Sequence, residues 1–179
     1  MKKTVPFFTR GIICCLLLAS YASFVQAANP ATINVTVTIQ NLSVSATGPI
    51  AFGTVVASSV TVSSDSSHVV NDGNVTETYD LKLTDPAGWT ATSGAPGSET
   101  YRLSAQFNGS QPTEASFGTN HDLTTSDQTC SATIFAGDQT GLSVSATEAR
   151  YLWFKFEAPT GTAVTTEQTI LVTITASAG

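Results

Sequence analysis

The chain has 179 residues, with 7 Lys or Arg against 13 Asp or Glu and a formal net charge of −6. A surface of this sign repels phosphate backbones, which sets aside nucleic acid as a partner and argues against anionic lipid. The length suits one domain behind an address segment, and no stretch after that segment is apolar for long enough to span a bilayer.

Residues 1–27 read as a signal peptide. Lys2, Lys3 and Arg10 form its positive end, Gly11 to Ala22 its short apolar run, and Val25-Gln26-Ala27 the small-residue cleavage site. The Met-Lys-Lys-Thr opening resembles bacterial Sec signals, so the expected localisation is secreted, periplasmic or cell-surface. Cys14 and Cys15 follow Gly11-Ile12-Ile13, a poor lipobox, so no lipid anchor is expected. Cleavage after Ala27 leaves residues 28–179 as one domain. It removes three basic residues, leaving Lys82, Arg102, Arg150 and Lys155 against 13 acids, a formal charge of −9. The 45 Ser and Thr in that stretch make its solvent faces polar by hydroxyl rather than by charge.

The first element is Thr32 to Gln40. Ile33, Val35, Val37 and Ile39 alternate with Thr, Asn and Gln, the period of two that marks a half-buried strand. After Asn41 the phase flips to Leu42 and Val44, which predicts a bulge or a change of sheet near Gln40-Asn41. Gly48-Pro49 turns the chain into Ile50 to Val55, and Ser58 to Ser63 follows with Val60 and Val62 inward. Asn71-Asp72-Gly73-Asn74 is a turn cluster. It opens the Val75 to Thr84 strand, with Tyr79, Leu81 and Leu83 on one face and Glu77 as the polar break on that face. Asp85-Pro86-Ala87-Gly88 stops this strand before Trp89.

Thr100 to Phe107 alternates again, and Asn108 to Gln128 shows little periodicity, as a long loop or ragged edge segments would. Cys130 to Phe135 and Leu142 with Val144 read as short strands. Tyr151 to Glu157 sets Leu152, Phe154 and Phe156 against Tyr151, Trp153, Lys155 and Glu157, and Thr169 to Ala176 is the last strand. About seven to nine strands with turn chemistry between them predict an all-β antiparallel sandwich of immunoglobulin-like type.

Ile50-Ala51-Phe52-Gly53-Thr54-Val55, a Ser/Thr/Val strand and Asn71-Asp72-Gly73-Asn74 before Tyr79-Asp80-Leu81 resemble bacterial immunoglobulin-like surface modules of the abnormal-spindle-like group and its relatives. The resemblance covers about 35 residues and departs where Ala57-Ser58-Ser59 stands in place of a glycine after Val55. It implies a fold and carries over no binding site.

Chemistry is sparse. His68 has Asp65, Ser66 and Ser67 nearby, and Asp122 adjoins His121, but Ser and Thr are everywhere and no Gly-x-Ser-x-Gly elbow occurs. Two His and one mature Cys at no ligand spacing do not make a zinc site. Calcium would draw on Asp72 with Asn74, or on Asp122 with Asp127, without an Asp-x-Asp-x-Asp pattern; a plain solvated turn is the simpler reading, and no metal or cofactor is expected. Glu77 and Asp80 fall on opposite sides of their strand, which does not favour a glycosidase carboxylate pair. Cys130 reads as a buried small hydrophobe.

Tyr151 and Trp153 share one side of their strand and could form a ligand or partner platform, unless both faces of that strand are covered. The expected function is a non-enzymatic structural or cell-surface protein, a fibre or coat subunit. Its partners would be other copies of itself or surface proteins. The alternative is an extracellular module that binds carbohydrate, such as a polysaccharide, or another ligand. Residues 31–46 carry no charge, so Thr32 to Gln40 is an unblunted edge strand able to pair with a neighbouring subunit. Such strand addition resembles the assembly of pilus subunits, whose paired cysteines this chain lacks; the simpler reading folds the strand back in its own domain. N-terminal sequencing of exported protein is expected to begin at Ala28.

Overall fold

The structure, a computed structural model, describes residues 30–179. The signal expected over residues 1–27 lies outside the described residues. The chain divides into two units, Met1–Thr38 and Ile39–Gly179.

Of the first unit, residues 30–38 carry no regular secondary structure. The strand predicted over Thr32–Gln40 is therefore not formed. Alternation makes a segment competent for a sheet, but a strand exists only when a neighbouring edge takes its N–H and C=O groups, and residues 32–40 enter no sheet among the described residues.

The second unit is all-β, with two sheets in a sandwich-like arrangement. Its strands are β1 (Val44–Ala46), β2 (Val60–Val62), β3 (Ser67–Asn71), β4 (Glu77–Thr84), β5 (Thr90–Ala91), β6 (Thr100–Phe107), β7 (Gln128–Thr129), β8 (Ala149–Glu157) and β9 (Leu171–Ala178). One sheet runs β1-β3-β8-β6-β5, with β2 pairing the far half of β8; the other runs β7-β4-β9. All pairings between strands are antiparallel except β5 with β6.

The core lies between the sheets. Tyr79, Leu81 and Leu83 of β4 face Tyr101, Leu103, Ala105 and Phe107 of β6 and Leu152, Phe154 and Phe156 of β8, all buried. These are the odd-numbered residues of β4 and β6 and the even-numbered ones of β8, as the alternation demands. Trp89 is half-buried. Its ring stacks on Phe156 at 6.0 Å, and its indole N–H reaches out to Thr162 Oγ1 at 3.0 Å. An indole must satisfy that donor, which holds it at the rim.

Three further expectations differ. Ile50–Val55 forms no strand; Ile50, Phe52 and Val55 pack partly against the core around Gly53, whose φ is +64°. Val60 of β2 is exposed rather than inward. Cys130–Phe135 and Leu142–Val144 are not strands but pieces laid along the free edge of β4. Cys130 N–H donates to Tyr79 O, Tyr79 N–H to Gly141 O, and Glu77 N–H to Val144 O. Between these contacts the chain loops away, with left-handed backbone at Phe135 and Ser143, so no continuous ladder forms. Cys130 is buried, as read, and burial pushes its thiol up to about 12.

Phe154→Ala is expected to lower unfolding free energy by about 3–5 kcal/mol, measured by urea titration. A loss below about 1 kcal/mol would show that this face of β8 is not core.

Candidate functional site

The unit's least finished region lies where β1 and β9 approach each other. Among the described residues each is an edge, β1 bonded only to β3 and β9 only to β4. Between them is a groove of about 300 Å³ lined by Val44, Ser45 and Ala46 on one wall and Val172, Thr173 and Ile174 on the other. Val172, Ile174 and Ala176 point toward the core yet stay half-buried, unlike their partners Leu83, Leu81 and Tyr79 across the ladder.

The chain enters β1 past the turn that follows β3. Asn71 organises this turn: its Nδ2 donates to Val75 O and Val144 O, and its Oδ1 accepts from Gly73 N–H. Gly73 lies against the Glu77 carboxylate and the Asn41 carbonyl with no room for a Cβ. Glu77 is fully buried. Its Oε1 accepts from Ser43 N–H at 2.7 Å, and its Oε2 has no partner.

Upstream, Ile33, Val35, Val37 and Ile39 are 86, 85, 83 and 78 % exposed. Scattered exposed apolar residues need no explanation, but four in strict alternation without charge would form a continuous apolar stripe in an extended segment.

A second polar cluster covers the outer face of β6 and β8, under the 108–127 stretch. That stretch is not a bare loop: 3-10 turns at Glu114–Ser116 and Thr119–His121 press Phe117, His121, Asp122 and Leu123 inward. His121 Nδ1 accepts from Gly118 N–H at 2.9 Å, so Nε2 carries the proton and donates to Ala136 O at 3.0 Å. Ser104 Oγ donates to Asp122 Oδ1, while Asp122 Oδ2 has no partner. Arg102 and Lys155 both reach Glu157 Oε1, and Lys155 Nζ sits 5.6 Å from the Phe117 ring centre.

Burial holds the His121 imidazole below its ordinary value and pushes the Asp122 carboxyl up. Burial also opposes the charge on Glu157, but Arg102 and Lys155 outweigh it and hold that carboxyl below the ordinary range. This cluster was not legible from residue types, because its members are far apart in the chain.

The other candidates are dispersed. Tyr151 and Trp153 are half-buried on this covered face. Tyr151 meets His68 edge-on at 4.3 Å, and Trp153 Nε1 donates to Asn108 O at 2.8 Å. His68 is in β3, a central strand rather than an edge, with its side chain exposed. Asp127 pairs with Lys82, and Asn74 spends its amide on backbone groups. Asp72 is exposed, and Asp80 accepts from Thr129. No group of three His, Cys, Asp or Glu among the described residues could hold a metal ion. No described helix is long and apolar enough to cross a membrane.

No protein-family model, curated protein or solved structure matches the chain.

His121 generates a pH dependence. Because its folded-state value lies below the ordinary imidazole value of 6.5, its contribution to stability is complete above that value. The contribution is lost as pH falls through the lower, folded value. Asp122 acts in the opposite sense, stabilising at acid pH and losing that contribution as pH rises through its raised value. Thermal unfolding followed from about pH 7 to about pH 5 is therefore expected to fall less steeply in His121→Gln than in the parent.

Proposed function

We propose that this is an exported, non-enzymatic structural protein, a subunit of a bacterial surface fibre or coat that assembles by strand addition. The segment Thr32–Gln40 of one copy would enter the groove between β1 and β9 of the next. The observation that carries this reading is the apolar stripe Ile33, Val35, Val37 and Ile39, left 78–86 % exposed in a chain whose sandwich has an open groove.

The segment is as long as β9, and longer than the three residues of β1. The eight residues of β9 and the nine of Thr32–Gln40 both extend roughly 27–30 Å at ~3.3 Å per residue. Chemistry matches as well: the segment is uncharged, and the groove walls offer Val, Ala, Ser, Thr and Ile. Burying four Val or Ile side chains is worth ~6–12 kcal/mol before the cost of association. That is comparable to the ~5–15 kcal/mol stability of a whole domain, enough to make the free segment a strong driver of pairing. Backbone bonds to one open edge would add specificity of register.

Export rests on residues 1–27, and the immunoglobulin-like assignment on two sheets antiparallel but for the β5–β6 pair, together with the resemblance over Ile50–Leu81. The non-enzymatic reading draws support from His121, whose two ring nitrogens are both engaged by backbone groups. The alternative of a carbohydrate module would use Tyr151 and Trp153; the engagement of the Trp153 indole with Asn108 weighs against it.

The test separates donor from acceptor. Val35→Asp should disable the segment and spare the groove, and Ala46→Glu should block the groove and spare the segment. Each variant alone is expected to remain monomeric, their mixture to form one-to-one dimers, and the parent to form polymers visible in negative stain. A parent that stays monomeric at high concentration, with residues 32–40 protected from amide exchange inside that monomer, would sink the proposal.

A further inference from the structure

The turn between β3 and β4 holds residues 39–43 from one side, and it does so through alternate residues. Asn74 Nδ2 donates to Ile39 O at 2.8 Å, and Asn74 Oδ1 accepts from Asn41 N–H at 2.8 Å. Asn74 N–H donates to Asn41 O at 3.1 Å, and Asp72 N–H to Ser43 O at 2.7 Å. Ser43 N–H is taken by Glu77. The carbonyl of Ile39 and both backbone groups of Asn41 and of Ser43 are thus committed toward the turn.

These commitments restrict how the upstream segment could enter its own groove. To do so it must reverse beside β1, and a tight reversal is a two-residue turn. Reversals that close on Asn41 or Ser43 need groups already bonded. One with Thr38-Ile39 at its corner asks two β-branched residues for positive φ. One with Thr36-Val37 at its corner sets Ile33 beside Gln40, and the apolar stripe stops short of Val44. The remaining turn is Gln40-Asn41, whose second residue tolerates positive φ. It closes Ile39 on Leu42 and sets Val37 opposite Val44 and Val35 opposite Ala46, on the groove wall. This turn needs the Ile39 carbonyl, which Asn74 occupies.

We propose that Asn74 is the positioning residue that decides which groove the segment enters. By holding Ile39 O and Asn41 N–H it denies the chain the one short turn that would fill its own groove, and so leaves the segment to a second copy. The proposal rests on the strand-addition reading above. Asn74 acts on the register and direction of the segment and contributes nothing to the groove walls.

The experiment uses the full chain, at a concentration where it is monomeric, and a labelled synthetic peptide of residues 30–40. In the parent the peptide should bind, and amides 35–39 should exchange freely. In Asn74→Ala the segment should turn back on its own groove. Peptide binding is then expected to weaken by about tenfold or more, the factor that one or two hydrogen bonds carry. Exchange at residues 35–39 should slow in step. Adding Val35→Asp to Asn74→Ala should expel the segment and restore the parent's peptide affinity, which an acceptor merely damaged by loss of Asn74 would not regain. Unchanged peptide binding and exchange in Asn74→Ala, or no recovery in the double variant, overturns the role of Asn74. A parent that binds no peptide overturns strand addition itself.

Discussion

Backbone N–H and C=O groups need partners, and β1 and β9 have them on one side only. The rest of the sandwich is arranged around that deficit. Where strands have neighbours on both sides, as β8 does between β3 and β6, the inward residues are sealed: Leu152, Phe154 and Phe156 are all buried. Where β9 runs as an edge, residues of the same apolar character on the same inward face remain half-buried. Packing quality follows the ladder, because a missing strand removes both a row of hydrogen bonds and a row of side chains.

The opposite flank solves a different problem. There the sheet is complete but its outer face carries Arg102, Ser104, Gln106, Lys155 and Glu157, side chains that would ordinarily meet water. The 108–127 stretch closes over them, so charge must be paired inside the protein. Two cations share Glu157, Ser104 serves Asp122, and both ring nitrogens of His121 are taken by backbone groups. Burying such a set is neutral for stability at best, and it holds a particular cover in a particular place. One face is thus closed by polar complementarity, while β1 and β9 remain edges among the described residues.

The fully paired strands were the legible ones. Thr100–Phe107 has the same bounds in sequence and structure because Tyr101, Leu103, Ala105 and Phe107 alternate without a break. The β4 and β8 segments followed the same rule, and Glu77 was correctly placed on the buried side. Thr32–Gln40 shows the limit of that rule, since periodicity reports which face a segment could bury and not whether a neighbouring edge is there. Cys130–Phe135 misled in a related way, an apolar run that serves as one contact on β4 and then leaves it. Of the candidate site, the apolar stripe and the Asn71–Asn74 turn could be read directly. The bonds from Asn74 to residues 39 and 41 could not, because nothing local links side chains to a backbone more than thirty residues away. The His121 cluster was hidden for the same reason, although isolated Phe117 and Leu123 in a polar stretch were a hint that it is anchored.

The pairing of β4 with β9 has a consequence for the order of events during biosynthesis. Glu77 meets Ala178 and Thr84 meets Leu171, so the ladder joins stretches separated by most of the sandwich. The larger sheet depends on β8 in a similar way, since β2, β3 and β6 all pair with it. A chain that emerges N-terminus first therefore has no stable half-product: β4 stays without its main partner until β9 appears. Contacts this distant in sequence make closure slow and cooperative. Through that interval the nascent chain presents raw apolar strands and is exposed to aggregation.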